Sequence, residues 1–279
     1  MKERIIYISL NPFLTNLLKT ISLQAFILTL AILFLCSCTT PPKAEKEAIR
    51  NKPEITIQIA SINLANLKKR IERKNIIELV KILQNEQVDI LAVQGISRYP
   101  GIASRVDFVN ELSAKTEWRN VFGEMLNISG RQTGNAIFSV YPILSHQNFS
   151  WDRVKPRSIE TALQATVDAG VRSLIVVSTQ LPPKATANEQ AQCAKLIAAM
   201  NPDTANQLTI VTGNMPTEEI IRTTNSFAEV PPPKFAKGTI SRIWYSANTS
   251  IQLLASRSME TELGTLVIAQ FGLLRQQNH

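Results

Sequence analysis

Residues 88–96 read VDILAVQGI: Ile90, Leu91, Ala92 and Val93 make an unbroken apolar run between the polar Asp89 and Gln94. A strand that covers one face of a core alternates apolar and polar side chains. A run that is apolar at every position is buried on both faces, as inside a layered α/β sheet. Upstream, ITIQIASINL (55–64) alternates as a half-buried strand should. Between the two, residues 68–86 set Ile71, Ile76, Leu79, Val80 and Leu83 among charges, the pattern of an amphipathic helix.

Downstream, RVDFVNELSAKT (105–116) reads as a second helix. Strands are predicted at 133–140, 143–149, 160–168 and 172–180, then a helix over 187–200 and a strand at 207–213. Two more strands, near 239–246 and 265–271, close the chain. Two groups of strands, each joined by helices, predict an α/β layered sandwich. Several segments end in polar residues, where such folds build their sites.

The chain before this domain has a different character. Met1-Lys2-Glu3-Arg4 is basic, Ile21–Leu35 is almost wholly apolar, and Leu35-Cys36-Ser37-Cys38 follows. The apolar run is short for a membrane span of about 20 residues, and basic start, apolar stretch and small residues make an export signal. The end of the run resembles the lipobox of bacterial lipoproteins. That resemblance implies cleavage after Ser37 and lipidation of Cys38; the alternative is an uncleaved N-terminal anchor. Residues 1–37 are thus the expected signal peptide, 38–54 a lipidated Cys with a Pro- and charge-rich tether, and 55–279 the domain. Either way the domain is expected at the cell envelope, tethered to a membrane. Thr39 beside the lipidated Cys favours the outer membrane where the cell has one.

Loss of Lys2, Glu3, Arg4 and Lys19 lowers the net charge from +8 to +6. Such a surface suits a position beside an anionic bilayer and is compatible with an anionic ligand, although charge alone requires no ligand. With Cys36 removed and Cys38 lipidated, Cys193 stands alone, so no intramolecular disulfide is expected. Cys193 reads as a buried small hydrophobe.

The order of the domain's segments resembles that of the endonuclease/exonuclease/phosphatase family, deoxyribonuclease-like hydrolases of phosphate esters. ASINL places Asn63 at the family's active-site Asn. VDILAVQGI keeps Asp89 and Gln94, TGNAIFSVYPI (133–143) follows the family's Gly-x-Ala-Ile-Leu-Ser-x-Tyr-Pro-Ile, and Arg157 stands where the family supplies an Arg before a strand. The resemblance implies a four-layer α/β/β/α sandwich with two packed mixed β-sheets.

It also exposes departures. Gly95 replaces the family's metal-binding Glu, and Gln180 replaces the His of Thr-His-Leu. Asn214 and Pro216 replace the Asp and final Asn of Gly-Asp-Phe-Asn, and Trp244 replaces the Asp of Arg-Ile-Asp-Tyr. The closing Ser-Asp-His aligns with Thr261-Glu262-Leu263, so Glu262 is acidic and Leu263 takes the place of the general base.

Phosphodiester hydrolysis needs a cation on the phosphoryl oxygens and a base to take a proton from water. Mg²⁺ requires oxygen ligands, usually carboxylates among them. Of the four acidic positions implied by the resemblance, only Glu262 is acidic, and neither His146 nor His279 falls at a family catalytic position. Losing one member of a cooperating set costs on the order of 10⁴-fold in rate. The expectation is therefore a domain that binds or scaffolds, with no cofactor.

A rearranged hydrolase around Glu262, Asn63 and Asn214, using Mg²⁺, is the alternative; a third reading is a receptor for an anionic, phosphorylated ligand held by Arg157 and Arg242. Nucleic acid is not expected as a partner; the reading is compatible with an envelope protein or an anionic ligand. Ordinary readings stand beside these. Asn63 suits a turn, Gln94 and Asp89 suit loop-holding roles, the two arginines suit ion pairs, and Trp244 suits a core.

Overall fold

The structure, a computed structural model, describes residues 53–274 except 66, 68, 103–104, 151–160, 181–185, 189, 192–194, 196–207, 215–226, 232–240 and 248–249. The chain divides into two units, Met1–Lys52 and Pro53–His279, and every described residue belongs to the second. The apolar segment, Cys36, Cys38, most of the tether, Arg157, Cys193, Pro216 and His279 lie outside the described residues.

The domain opens with β1 (Ile55–Asn63), α1 (Arg73–Asn85) and β2 (Ile90–Arg98), then α2 (Phe108–Thr116), β3 (Arg119–Ile128) and β4 (Arg131–Ser139). A second series follows: β5 (Ile143–Ser150), β6 (Thr161–Asp168), β7 (Ser173–Gln180), β8 (Leu208–Asn214), β9 (Phe227–Glu229) and β10 (Arg242–Ser246). The hairpin of β11 (Ile251–Thr261) and β12 (Gly264–Leu273) ends it. Within the expected 187–200 helix, the described residues Ala187, Asn188, Gln190, Ala191 and Lys195 are helical.

The strands form two six-stranded sheets, in the orders β11-β12-β1-β2-β4-β3 and β5-β6-β7-β8-β10-β9. Each is mixed, with one parallel pair at its centre, β1 with β2 and β7 with β8, and antiparallel neighbours on both sides. The two sheets thus share one pattern of strand directions. Parallel neighbours require a crossover, and α1 provides the first of these.

Alternation along the strands divides the side chains between two cores. Ile57, Ile59 and Ile90 of the first sheet meet Leu163, Val176 and Ile210 of the second in the layer between the sheets. The other face of the first sheet, with Ala60, Ile62 and Leu91, is covered by α1 and α2. Ile76, Leu79, Val80 and Leu83, spaced at three and four residues, are the buried stripe of α1. This is the sandwich of two packed mixed sheets that the sequence predicts.

Some boundaries differ from expectation. Helix α1 begins at Arg73 rather than 68, because the Asn75 side chain accepts the Glu72 backbone N–H at 3.0 Å and fixes the first turn there. Helix α2 is capped by Asp107, whose carboxylate accepts from the Asn110 N–H at 3.1 Å. Strands β3, β9 and β11 are not predicted by apolar patterning, and all three lie at sheet edges.

Candidate functional site

Parallel strands bring their C-terminal ends to one end of a sheet. The register sets Asn63 beside Gln94 in the first sheet, and Thr161, Gln180 and Asn214 in one row of the second. Side-chain parity turns these residues toward the space between the sheets. Ser61 and Asn63 continue the inward stripe of Ile57 and Ile59; Ser178 and Gln180 continue that of Leu174 and Val176; Thr212 and Asn214 continue that of Leu208 and Ile210. At this end the layer between the sheets changes from apolar to polar.

Its floor is a hydrogen-bond cluster around the fully buried Gln94. The Gln94 Nε2 has two protons for three oxygens within reach, Ser61 Oγ at 3.1 Å, Ser178 Oγ at 3.1 Å and Thr212 Oγ1 at 3.3 Å, so one proton goes to Ser61 and the other is shared between Ser178 and Thr212. Its Oε1 accepts from the Ser241 hydroxyl at 2.9 Å, and the two serine hydroxyls, Ser61 and Ser241, also touch. A hydroxyl has one proton to give. Ser241 gives its proton to Gln94, so Ser61 must give its own to Ser241. The result is a closed ring, Gln94 to Ser61 to Ser241 and back, in which each bond polarises the next. Ser178 and Thr212 spend their protons on the Val93 and Val177 carbonyls at 3.4 and 3.0 Å, which leaves their oxygens to accept from Gln94.

Asn135 makes a second bridge between the sheets. Its Nδ2 donates to the Thr161 and Ser178 carbonyls at 3.2 and 3.1 Å, and its Oδ1 accepts the Gly95 N–H at 3.2 Å. Sequence reasoning missed Ser61, Asn135, Thr161, Ser178, Thr212 and Ser241. The available signal was a polar residue continuing an otherwise apolar inward stripe. Gln94 and Asp89 both prove to hold structure. Asp89 lies at the opposite end of β2, where its carboxylate accepts the Gln58 N–H at 2.7 Å. Burial raises its pKa against that hydrogen bond.

Gly95 is the residue at which the sequence resemblance leads one to expect a metal-binding Glu. Its φ is +67°, at the irregularity where the pairing of β2 with β4 shifts between Val93 and Ile96. A Cβ at Gly95 would fall 2.5 Å from both Cα and Cβ of Ala65. No side chain, carboxylate included, fits there as the backbone stands.

The remaining positions follow their strands. Gln180 is 6% exposed, and Asn214 pairs beside it in register. Trp244 is fully buried but pairs with Val211, so it lies on the face of the second sheet turned away from the first, outside the cleft. Arg242 shares that face, and its Nη1 donates to Glu229 Oε1 at 2.9 Å. It therefore does not line the cleft, and the ion-pair reading describes it. Leu263 is packed in the core under α1 and α2, while Glu262 is exposed at the tip of the β11–β12 hairpin, with its charge felt at Lys74. His146 is exposed on the edge strand β5.

Some polar atoms at this end remain unspent. Asn63 Oδ1 accepts the Ala65 N–H at 3.0 Å in a turn, but its Nδ2 is buried with no partner. The same holds for Gln180 Oε1 and Thr161 Oγ1. Thr161 and Gln180 face each other across the β6–β7 ladder.

A divalent cation would need oxygen donors with negative charge among them. Gly95 offers no side chain, and Asn63, Gln94, Asn135, Gln180 and Asn214 offer only neutral amides. Among the described residues, no three His, Cys, Asp or Glu side chains gather to hold a metal. The described side chains do not fit that group.

No protein-family model matches the sequence, and no curated protein matches it. Similarity appears in solved structures. An endonuclease/exonuclease/phosphatase from Bacteroides vulgatus superposes with a TM-score of 0.60 at 13% identity, covering 79% of this chain and 100% of that one. The human Nocturnin catalytic domain with bound sulfate gives 0.59 at 14% identity, covering 78% and 94%. D. rerio TDP2 complexed with single strand DNA product gives 0.61 at 11% identity, covering 78% and 99%. The domain therefore has the endonuclease/exonuclease/phosphatase fold.

Proposed function

We propose that this protein is a lipoprotein of the cell envelope, tethered through Cys38, whose domain binds or scaffolds and does not hydrolyse phosphate esters. The observation that carries this reading is the closed backbone at Gly95, where the fold would otherwise place a metal ligand. The neutral side chains at 180 and 214 and the outward-facing Trp244 support it. Tethering rests on the sequence around Cys38, where several acyl chains, each methylene contributing about 0.8 kcal/mol, would hold the domain at a membrane.

The test has two arms. Mg²⁺ or Mn²⁺ is titrated into the protein while melting temperature and hydrolysis of a generic phosphodiester are followed; neither should change. Metal-dependent turnover that disappears in Glu262→Ala would instead establish the rearranged hydrolase. Separately, Cys38→Ala should release the domain from membranes or leave an unprocessed precursor. If the substitution changes neither the size of the chain nor its attachment to membranes, the apolar segment is an uncleaved anchor. The anionic-ligand reading is weaker now that Arg242 is paired with Glu229 away from the cleft.

A further inference from the structure

We infer that the end of the sandwich at which the first strand begins rests on a lipid bilayer, with Val140, Leu144, Val171 and Leu254 in contact with its surface. This rests on the reading of the chain as tethered through Cys38 and names the surface that the membrane meets.

The first ground is where exposed apolar side chains collect. Among the described residues, the large apolar side chains that stand exposed are Ile77, Ile102, Ile128, Val140, Leu144, Val171 and Leu254. Ile77 lies on α1; Ile128 ends β3 and Ile102 follows β2, both at the end that bears Asn63 and Gln180. The other four belong to the opposite end. Val140 follows β4 and donates its N–H to the Asp89 carbonyl at 3.0 Å, Leu144 opens β5, and Val171 is in the turn from β6 to β7. Leu254 is at the irregularity near the start of β11 and flanks Gly272 together with Pro53. A Cβ on that glycine would fall 3.4 Å from Leu254 Cδ1 and 2.5 Å from Pro53 Cγ.

Hydrogen bonds join these segments. The Pro142 carbonyl accepts the Asp168 N–H at 2.9 Å, which links the Val140–Leu144 turn to β6. Arg172, beside Val171, donates from Nη1 to the Leu274 carbonyl at 3.4 Å, and the Leu274 N–H donates to the Ser250 carbonyl just before β11 at 2.9 Å. Single exposed apolar side chains are ordinary, but four on linked segments at one end mark a contact surface. Tyr141, half-buried between Val140 and Leu144, has the amphipathic ring that suits a membrane–water interface. Charged groups of both signs stand at this end, Arg119 and Arg172 with Glu54, Asp89 and Asp168, so apolar contact rather than charge carries the attachment.

The second ground is where the chain enters. The domain begins at Pro53, fifteen residues after Cys38, and Pro53 is at this same end. The nine residues of β1 rise about 3.3 Å each, so the opposite end stands about 30 Å further from the point of entry. A lipid on Cys38 therefore keeps this end the nearer of the two to the bilayer. Tethering also makes contact an intramolecular event at high effective concentration, so a few side chains suffice.

The experiment uses the full chain as purified from membranes in detergent, added to preformed phosphatidylcholine vesicles. In a Cys193→Ser background, Leu144→Cys, Val171→Cys or Ile128→Cys is labelled with bimane. Nitroxide-bearing lipid should quench the label at 144 and at 171 and leave that at 128 untouched, whereas iodide in the water should do the reverse. Added salt should not change this pattern. Leu144→Asp in the Val171→Cys chain should lower the lipid quenching at 171.

Iodide quenching at all three positions would overturn the proposal, since the domain would then stand clear of the bilayer. So would lipid quenching at 128 in place of 144 and 171. Protection of 144 and 171 from both quenchers would overturn it as well, because another protein chain would then cover the surface. The tether is read separately by mass: a chain that retains residues 1–37 and carries no lipid removes the lipidation reading, while the labels still report which end meets the bilayer.

Discussion

Ala65 stands where a side chain on Gly95 would have to go, its Cα and Cβ each 2.5 Å from the position a Cβ would take. The two residues are brought together by the ends of neighbouring parallel strands, with Leu64 donating its N–H to the Gln94 carbonyl at 2.8 Å. The missing carboxylate is thus a property of the backbone as well as of the residue type.

Placing an acid at that position should therefore fail to create metal binding. Gly95→Glu and Gly95→Ala should both lower stability in chemical denaturation. The left-handed backbone alone costs about 1–2 kcal/mol, and the clash with Ala65 adds to it. Mg²⁺ should leave the midpoint of the Glu variant unmoved. A Glu variant as stable as the parent and stabilised further by Mg²⁺ would mean that this backbone opens easily.

The ring at Gln94 gives a second expectation. Gln94→Leu keeps the volume but strands the hydroxyl of Ser241 and removes the donors to Ser61, Ser178 and Thr212. With about 1–3 kcal/mol for each buried group left unsatisfied, the loss should be on the order of 3 kcal/mol. Ser241→Ala in the same background should cost less than in the parent, since only the Ser61 hydroxyl remains as its partner, and a double-mutant cycle measures that coupling.

Acid-base linkage at Asp89 sets a third. Burial raises its pKa in the folded chain, so the folded state holds the proton more tightly than the unfolded one. Stability from this group is fully present below the ordinary Asp value and is lost as pH rises through the raised one. Asp89→Asn keeps an acceptor for the Gln58 N–H and should remove that decline. The variant should gain on the parent between mildly acidic and neutral pH, as read by melting temperature across a pH series.

Arg242→Ala tests the ion pair with Glu229. Its partner Glu229 is only partly exposed, but Arg242 itself is 40% exposed, so the change should cost at most about 1 kcal/mol. Thermal denaturation of the variant checks this directly.

The fold was legible in the sequence where burial imposes a pattern. Ile90–Val93 is buried on both faces, and an unbroken apolar run announces that; Leu208–Val211 is buried likewise, with Thr209 the one polar residue in the run. Strand β11 is largely exposed along Ser256–Ser258, and β9 is three residues long; their strand state comes from pairing with a neighbour, which no local pattern reports. The site was half legible. The family resemblance pointed to Asn63, Gly95, Gln180 and Asn214, which the strands bring to one end, whereas the alternation of faces along β10 turns Trp244 and Arg242 away from that end. The hydroxyls of Ser61, Ser178, Thr212 and Ser241 are scattered along the chain, and only the stacking of two sheets makes them one cluster.

Under the proposed tethering, the first strand of the domain is also the one through which it would be held. Strand β1 follows directly on the chain that precedes the domain, and it is gripped on both sides, by β12 along Ile55–Ile62 and by β2 along Ile59–Asn63. The Glu54 N–H adds a further bond to the Leu273 carbonyl at 2.9 Å. A pull delivered from the N-terminal side acts along the axis of this strand, so the hydrogen bonds on its two flanks are loaded in shear and resist together. Resistance to such a pull is set by the height of the unfolding barrier rather than by equilibrium stability. A domain hung from this strand would meet tension at its best-secured point, and a clipped edge strand such as β9 would carry none of it.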